Sequence, residues 1–179
     1  MATRPHDTAT RRKRTWTPAT IPFGLLIMLL GAWVFFVPLV GPYFDFGFFT
    51  ESAWSFSVRH WELLLAPGIV AFVGGLLLMT PAWGLGWLGG LMATAAGIWL
   101  VIGPSLYPLW AAVDRVQPLP HGDVVRALLW IGYFYGPGAL ITYLAGYGQG
   151  LVSRRTVVEE AVVEERPASA TRERVVREE

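Results

Sequence analysis

Four long apolar stretches dominate this chain, over residues 21–40, 63–80, 84–107 and 124–147. About 20 helical residues cross the ~30 Å hydrocarbon core of a bilayer. The only charged residue in the four stretches is Arg126, near the start of the last one. The apolar runs are continuous rather than alternating, and they are much longer than the ~10 residues of a barrel strand. The sequence therefore predicts an all-α integral membrane four-helix bundle.

Most of the charge lies outside this apolar block. Only 15% of the 179 residues are charged, against about 25% in soluble domains, which argues against a soluble enzyme and against a wholly disordered protein. We predict a basic cytoplasmic arm over 1–19, a four-span membrane domain over 20–148 and a charged cytoplasmic tail over 149–179. Both tails are expected to be disordered.

Basic residues near the ends of the block predict its direction in the membrane. Clusters of arginine and lysine next to membrane spans stay in the cytoplasm, and an even number of spans puts both termini on one side. The chain is therefore expected to be a plasma-membrane protein with cytoplasmic termini. Lysine supplies only one of the 14 basic residues, a bias that suggests a bacterial source. The topology residues are Arg11, Arg12, Lys13, Arg14, Arg154 and Arg155.

The first and third stretches share a pattern at a constant offset along the chain. The common core, G-x-W-x4-P-x3-P, contains the pairs Gly31/Gly97, Trp33/Trp99, Pro38/Pro104 and Pro42/Pro108. The second and fourth stretches share Pro-Gly, at 67–68 and 137–138. We predict two tandem helical hairpins, about 20–80 and 84–148, related by a pseudo-twofold axis along the membrane normal. The alternative is chance coincidence among residues that are common in membrane helices.

These paired segments resemble the SPW-repeat family of small membrane proteins, which is named for a Ser-Pro-Trp triplet in the first helix of each pair. The segments from Gly31 to Pro38 and from Gly97 to Pro104 carry the resemblance. The literal triplet is replaced by Val-Pro-Leu at 37–39 and Gly-Pro-Ser at 103–105. The resemblance spans about 20–148 and implies a duplicated two-helix unit, but no activity or functional residue.

The prolines and small residues predict helix ends, kinks and contacts. Proline lacks an N–H, so two pairs of prolines are expected to end helices at the outer face, Pro38 and Pro42 in the first stretch and Pro104 and Pro108 in the third. Pro67 and Pro137 are expected to kink their helices. Trp33 and Trp99 are expected to ring the interface or to fill gaps between helices. The ladder Gly89, Ala93 and Gly97 permits close helix approach. Packing inside the bundle is the favoured interpretation, and a homo-oligomer interface is the alternative.

Chemistry-bearing residues are few. The absence of cysteine excludes thiolate sites, and the lack of ionisable residues at membrane depth argues against ion-coupled transport. A metal site from His60, Glu62, His121 and Asp123 is conceivable, but ordinary exposed loop residues are favoured. No catalytic residue, cofactor or metal site and no nucleic-acid partner is predicted.

The favoured function is that of a non-enzymatic structural or accessory membrane protein. A carrier or channel for an apolar or uncharged solute is the alternative, and an enzyme or sensor that uses His60 and His121 is a third. The repeated Val-Val-Glu-Glu of the C-terminal tail could fold on a membrane or cytoplasmic partner. The aromatic segment 43–56 is expected to lie in the interface or across the mouth of the bundle, with ligand docking as its alternative.

The topology predicts opposite signals from reporters fused at Thr50 and at Glu179. A periplasm-active reporter should work at Thr50, and a cytoplasm-active reporter at Glu179. Signals from the same side would refute the four-span arrangement.

Overall fold

Four helices form the membrane domain. A computed structural model describes residues 19–44, 46–48, 53–54, 56–111, 116, 118 and 122–153. Each helix is long and apolar enough to cross a membrane, and this part of the chain contains no strand, so the all-α four-span prediction is confirmed. The helices are α1 (Ile21–Phe44), α2 (Val58–Leu78), α3 (Trp83–Leu109) and α4 (Asp123–Ser153). Helix α4 continues to Ser153, so residues 149–153 of the predicted C-terminal tail are helical. The remainder of that tail, residues 1–18 of the predicted N-terminal arm and the six topology residues lie outside the described residues.

The helices pair as two tandem hairpins. Helix α1 packs along α2, and α2 also packs along α3 across the short link at 79–82. Helix α3 contacts α4 through Gly97 and Gly138. Because successive helices run in opposite directions, α1 begins where α4 ends, which we call the terminal end. The opposite end carries the two long connections and is called the loop end.

Each hairpin brings its two helix backbones into direct contact at a glycine. A Cβ atom on Gly31 would lie 2.6 Å from the Phe72 nitrogen and 2.8 Å from the Gly68 oxygen. A Cβ atom on Gly97 would lie 2.8 Å from the Gly138 oxygen and 2.8 Å from the Thr142 nitrogen. Gly31 pairs with Gly97 in the sequence repeat, and Gly68 pairs with Gly138. The two hairpins therefore use equivalent positions for their closest approach.

The small-residue ladder of α3 serves two neighbours within the same chain. A Cβ atom on Gly74 of α2 would lie 2.7 Å from the Gly89 oxygen and 2.9 Å from the Ala93 nitrogen. One part of the ladder thus packs on α2, while Gly97 packs on α4. Fully buried apolar side chains fill the space between the helices, among them Ile27, Leu63, Leu64, Leu78, Leu100 and Ile141.

The α-helical turns of α1 and α3 end between the two prolines of each predicted exit pair. Pro38 and Pro104 lie inside α-helical turns, which continue to Val40 and Leu106. Pro42 and Pro108 lie in the 3₁₀ turns that follow, at Gly41–Phe44 and Tyr107–Leu109. A proline near a helix end removes only one main-chain hydrogen bond, and the following turn can still form.

Helix α2 begins earlier than predicted, at Val58 rather than at position 63. Arg59, His60 and Glu62 are therefore helical residues. His60 is 3% exposed, so the prediction of an exposed loop histidine is wrong. The side chain of Ser57 caps this helix by accepting a hydrogen bond from the His60 N–H at 3.3 Å, which extends the helix beyond the apolar stretch.

The glycine contacts predict a sharp difference between two Gly-to-Ala variants. Gly31→Ala places a methyl group against main-chain atoms that cannot move alone, and should lower the free energy of unfolding by about 1–3 kcal/mol. Gly146→Ala is the matched control, because a Cβ atom there meets nothing within 4 Å. It should change stability by less than about 0.5 kcal/mol. Unfolding in mixed micelles by increasing SDS measures both, and equal effects would contradict the close approach.

Candidate functional site

Two π-helical turns mark equivalent places in α2 and α4. They span Trp61–Leu65 and Ile131–Tyr135. At the end of each turn an N–H bonds a carbonyl five residues back: Ala66 bonds Trp61, and Gly136 bonds Ile131. Pro67 and Pro137 follow directly. The expected proline kinks are thus accompanied by one wide turn in each helix, a common way of accommodating a break in the ladder.

The wide turn and the proline together leave one carbonyl oxygen without a main-chain donor. The Glu62 oxygen would accept from residue 66 in an α-helical turn or from residue 67 in a π-helical turn. The Ala66 N–H already bonds Trp61, and Pro67 has no N–H. The Gly132 oxygen of α4 is in the same position, because Gly136 bonds Ile131 and residue 137 is proline. An unpaired carbonyl is costly in hydrocarbon.

Tryptophan side chains supply both missing donors. The Trp99 indole Nε1 donates to the Glu62 oxygen at 2.9 Å, and the Trp33 indole Nε1 donates to the Gly132 oxygen at 3.0 Å. Each tryptophan belongs to one hairpin and its acceptor belongs to the other. These two indole–carbonyl contacts therefore link the hairpins reciprocally, through residues that occupy equivalent positions in each.

The sequence singled out the two tryptophans and the four prolines without connecting them. The structure brings Trp33 and Trp99 to the helices that carry Pro137 and Pro67. Trp99 is partly buried between helices, whereas Trp33 is 51% exposed and bonds α4 from the surface of the bundle. Glu62 and Gly132, the acceptors, were missed as partners. A usable signal was present, since the sequence repeats a tryptophan in the first helix of each hairpin together with a Pro-Gly pair in the second.

Aromatic rings close the loop end of α4. Phe48 is 1% exposed, and its ring centroid lies 4.9 Å from that of Trp130 and 5.0 Å from that of Phe134. The Tyr133 hydroxyl lies 3.2 Å from the Val37 oxygen and also contacts the Phe46 oxygen. The predicted aromatic segment is thus divided, because Phe46 and Phe48 pack into the bundle. By contrast, Tyr43, Phe44, Trp54 and Phe56 are exposed.

A different cluster stands at the loop end of α2. The Trp110 indole Nε1 donates to Oε2 of Glu62 at 3.2 Å. The Trp110 ring stacks on Trp99 with centroids 6.0 Å apart, and Tyr107 meets it edge-on at 5.7 Å. Glu62 therefore binds two indoles at once, one through its main chain and one through its carboxylate.

Metal-ligating side chains are not clustered in the part of the chain that the structure describes. No group of three or more histidine, aspartate or glutamate side chains lies close enough there to share an ion. Asp123 lies 3.7 Å from Arg126 in an exposed ion pair. His121 lies outside the described residues.

Searches against known protein families, curated proteins and solved structures find no match to this chain.

The indole–carbonyl contacts predict that Trp33→Phe and Trp99→Phe each destabilise the protein by about 1–2 kcal/mol. Phenylalanine keeps an aromatic ring but removes the N–H, so the Gly132 or Glu62 oxygen loses its donor. Trp83→Phe is the control, since Trp83 is about as exposed as Trp33, at 55% against 51%, and its indole N–H donates to no described residue. Unfolding in SDS-containing mixed micelles compares the three variants. A loss at Trp83 as large as that at Trp99 would contradict the assignment.

Proposed function

We propose that this protein is a non-enzymatic structural or accessory component of a bacterial plasma membrane. The single observation that carries the proposal is the reciprocal pair of indole–carbonyl contacts, which joins two hairpins into one body. A protein whose role is to hold or present other components needs such a fixed arrangement. Chemistry or transport would instead require reactive groups or helices free to rearrange.

The interior of the bundle supports the same proposal. Fully buried leucine and isoleucine side chains occupy the centre, and glycines bring the helix backbones into contact within each hairpin and between α2 and α3. Opening a solute path would require these contacts to separate. The packing therefore favours a fixed scaffold over a carrier or channel for an uncharged solute.

We further propose that the two hairpins arose by tandem duplication and belong with the SPW-repeat type of membrane protein. The wide turns begin at Trp61 and Ile131, 70 residues apart, as are the Pro-Gly pairs. The 3₁₀ turns begin at Gly41 and Tyr107, 66 residues apart, as are the two tryptophans of the repeat. Chance similarity of composition would not place two kinds of local structure at the separations of the sequence repeat. The tryptophan is repeated because the proline is repeated: each proline leaves one carbonyl oxygen without a main-chain donor, and a tryptophan of the other hairpin supplies the N–H.

Orientation and partner follow from the flanking charges. The basic clusters at 11–14 and 154–155 favour cytoplasmic termini, which puts the loop end outside. The charged tail after Ser153 is then available to a cytoplasmic or membrane protein partner. A homo-oligomer through the lipid-facing helices is an alternative outcome.

Crosslinking in native membranes followed by affinity purification tests the proposed role. The full chain should retain a reproducible partner, and a variant that ends at Arg155, which keeps the basic cluster, should lose it while keeping its membrane insertion. Purified full chain in liposomes should produce no flux of glycerol or of an apolar dye above protein-free vesicles. Flux that depends on the protein, together with no partner, would overturn the accessory role in favour of a carrier.

A further inference from the structure

The two hairpins differ at one equivalent position near the loop end. Position 132 of α4 is glycine, and a Cβ atom there would lie 3.0 Å from the Phe46 ring, which fills the space. Position 62 of α2, its equivalent in the first hairpin, is glutamate. The first hairpin therefore has the Glu62 side chain at the position where, in the second hairpin, the Phe46 ring covers Gly132.

The Glu62 carboxylate forms one hydrogen bond within the described part of the chain. It is half-buried and accepts from the Trp110 indole, although a carboxylate offers about four acceptor positions. Among the described residues no ion pair joins Glu62 to a basic side chain, and Arg126 at the same end lies 3.7 Å from Asp123. Because Glu62 lies at the loop end, its other acceptor positions are available to a cationic ligand.

Three aromatic rings lie near Glu62, and two of them are hydrogen-bonded to it. Trp99 is fixed by the Glu62 main-chain oxygen and Trp110 by the carboxylate. Trp110 remains 51% exposed, whereas Tyr107 behind it is 5% exposed. An exposed indole beside a carboxylate attracts a cation through both its ring and the neighbouring charge. Indoles do not ligate metals, and one carboxylate is too few for Ca²⁺ or Mg²⁺, so an organic cation fits better.

We propose that Glu62 and Trp110, supported by Trp99 and Tyr107, bind an organic ammonium group at the loop end of the bundle. The ammonium group belongs either to a zwitterionic lipid headgroup or to a soluble quaternary amine, and both present the same chemistry. The site lies outside the contacts that join the hairpins and does not depend on the proposed accessory role.

Calorimetry on the full chain in detergent micelles tests the soluble ligand. Choline should bind, and 3,3-dimethylbutan-1-ol, its uncharged isostere, should bind at least about tenfold more weakly. Glu62→Gln keeps an acceptor for Trp110 and the main-chain oxygen for Trp99, so the fold should persist while choline affinity falls at least about tenfold. Asp123→Asn, the same change at an exposed position of the same end, should leave the affinity unchanged.

Native mass spectrometry from vesicles of equal phosphatidylcholine and phosphatidylglycerol tests the lipid source. The parent chain should retain several-fold more phosphatidylcholine than the Glu62→Gln variant does. Trp110→Leu should weaken retention similarly, whereas Trp110→Phe, which keeps a ring, should weaken it less. Binding of choline alone identifies a soluble ligand, and retention of lipid alone identifies a headgroup.

The proposal is overturned if neither choline nor phosphatidylcholine responds to Glu62→Gln. It is equally overturned if the uncharged isostere binds as well as choline, since the site would then be merely apolar. Comparison of the unfolding free energy of the variants with that of the parent distinguishes lost binding from lost folding.

Discussion

A main-chain carbonyl that loses its helical donor needs another one, and in the hydrocarbon region of a membrane no water supplies it. Pro67 and Pro137 each remove a main-chain N–H from a membrane-spanning helix. In the wide turn before each proline, the preceding N–H already bonds the carbonyl five residues back. The missing donors come from Trp99 and Trp33, across the boundary between the hairpins. The carbonyl left without a donor in each hairpin is thus paired only when the tryptophan of the other hairpin lies beside it.

Glycine contacts occur both within the hairpins and between them, whereas α1 and α4 meet through larger groups. Within a hairpin, glycine lets two backbones touch, as at Gly31 and Gly97, and packing gains replace the hydrophobic effect, which is absent between helices in lipid. Between α2 and α3 the same device recurs at Gly74. Between α1 and α4 larger groups dominate, including a Phe23–Tyr147 ring contact at 4.9 Å and the Trp33 hydrogen bond. The two hairpins share their internal glycine contacts but differ at their surfaces. The clearest difference is the cluster of Glu62, Trp99 and Trp110, because the second hairpin has glycine at the position equivalent to Glu62.

The spans could be predicted because a bilayer imposes a length and an apolar composition that sequence displays directly. The glycine pairs were also visible, since only small residues permit close approach. Which proline of each exit pair ends the α-helical turns could not be predicted, because whether a helix continues past proline depends on a single hydrogen bond near its end. The burial of His60 depends on where α2 begins, which Ser57 sets outside the apolar stretch. The partners of Trp33 and Trp99 lie 99 and 37 residues away in sequence, and no local pattern identifies an acceptor at that distance.

The central claim is that the Trp99 indole supplies the donor that Pro67 cannot. A double-mutant cycle with Trp99→Phe and Pro67→Ala, read out as unfolding free energy in mixed micelles, tests it most directly. Alanine at position 67 restores a main-chain N–H, so Trp99→Phe should cost about 1 kcal/mol less in that background than in the parent chain. Costs that add to within about 0.3–0.5 kcal/mol would contradict the claim, because the indole and the proline would then act independently.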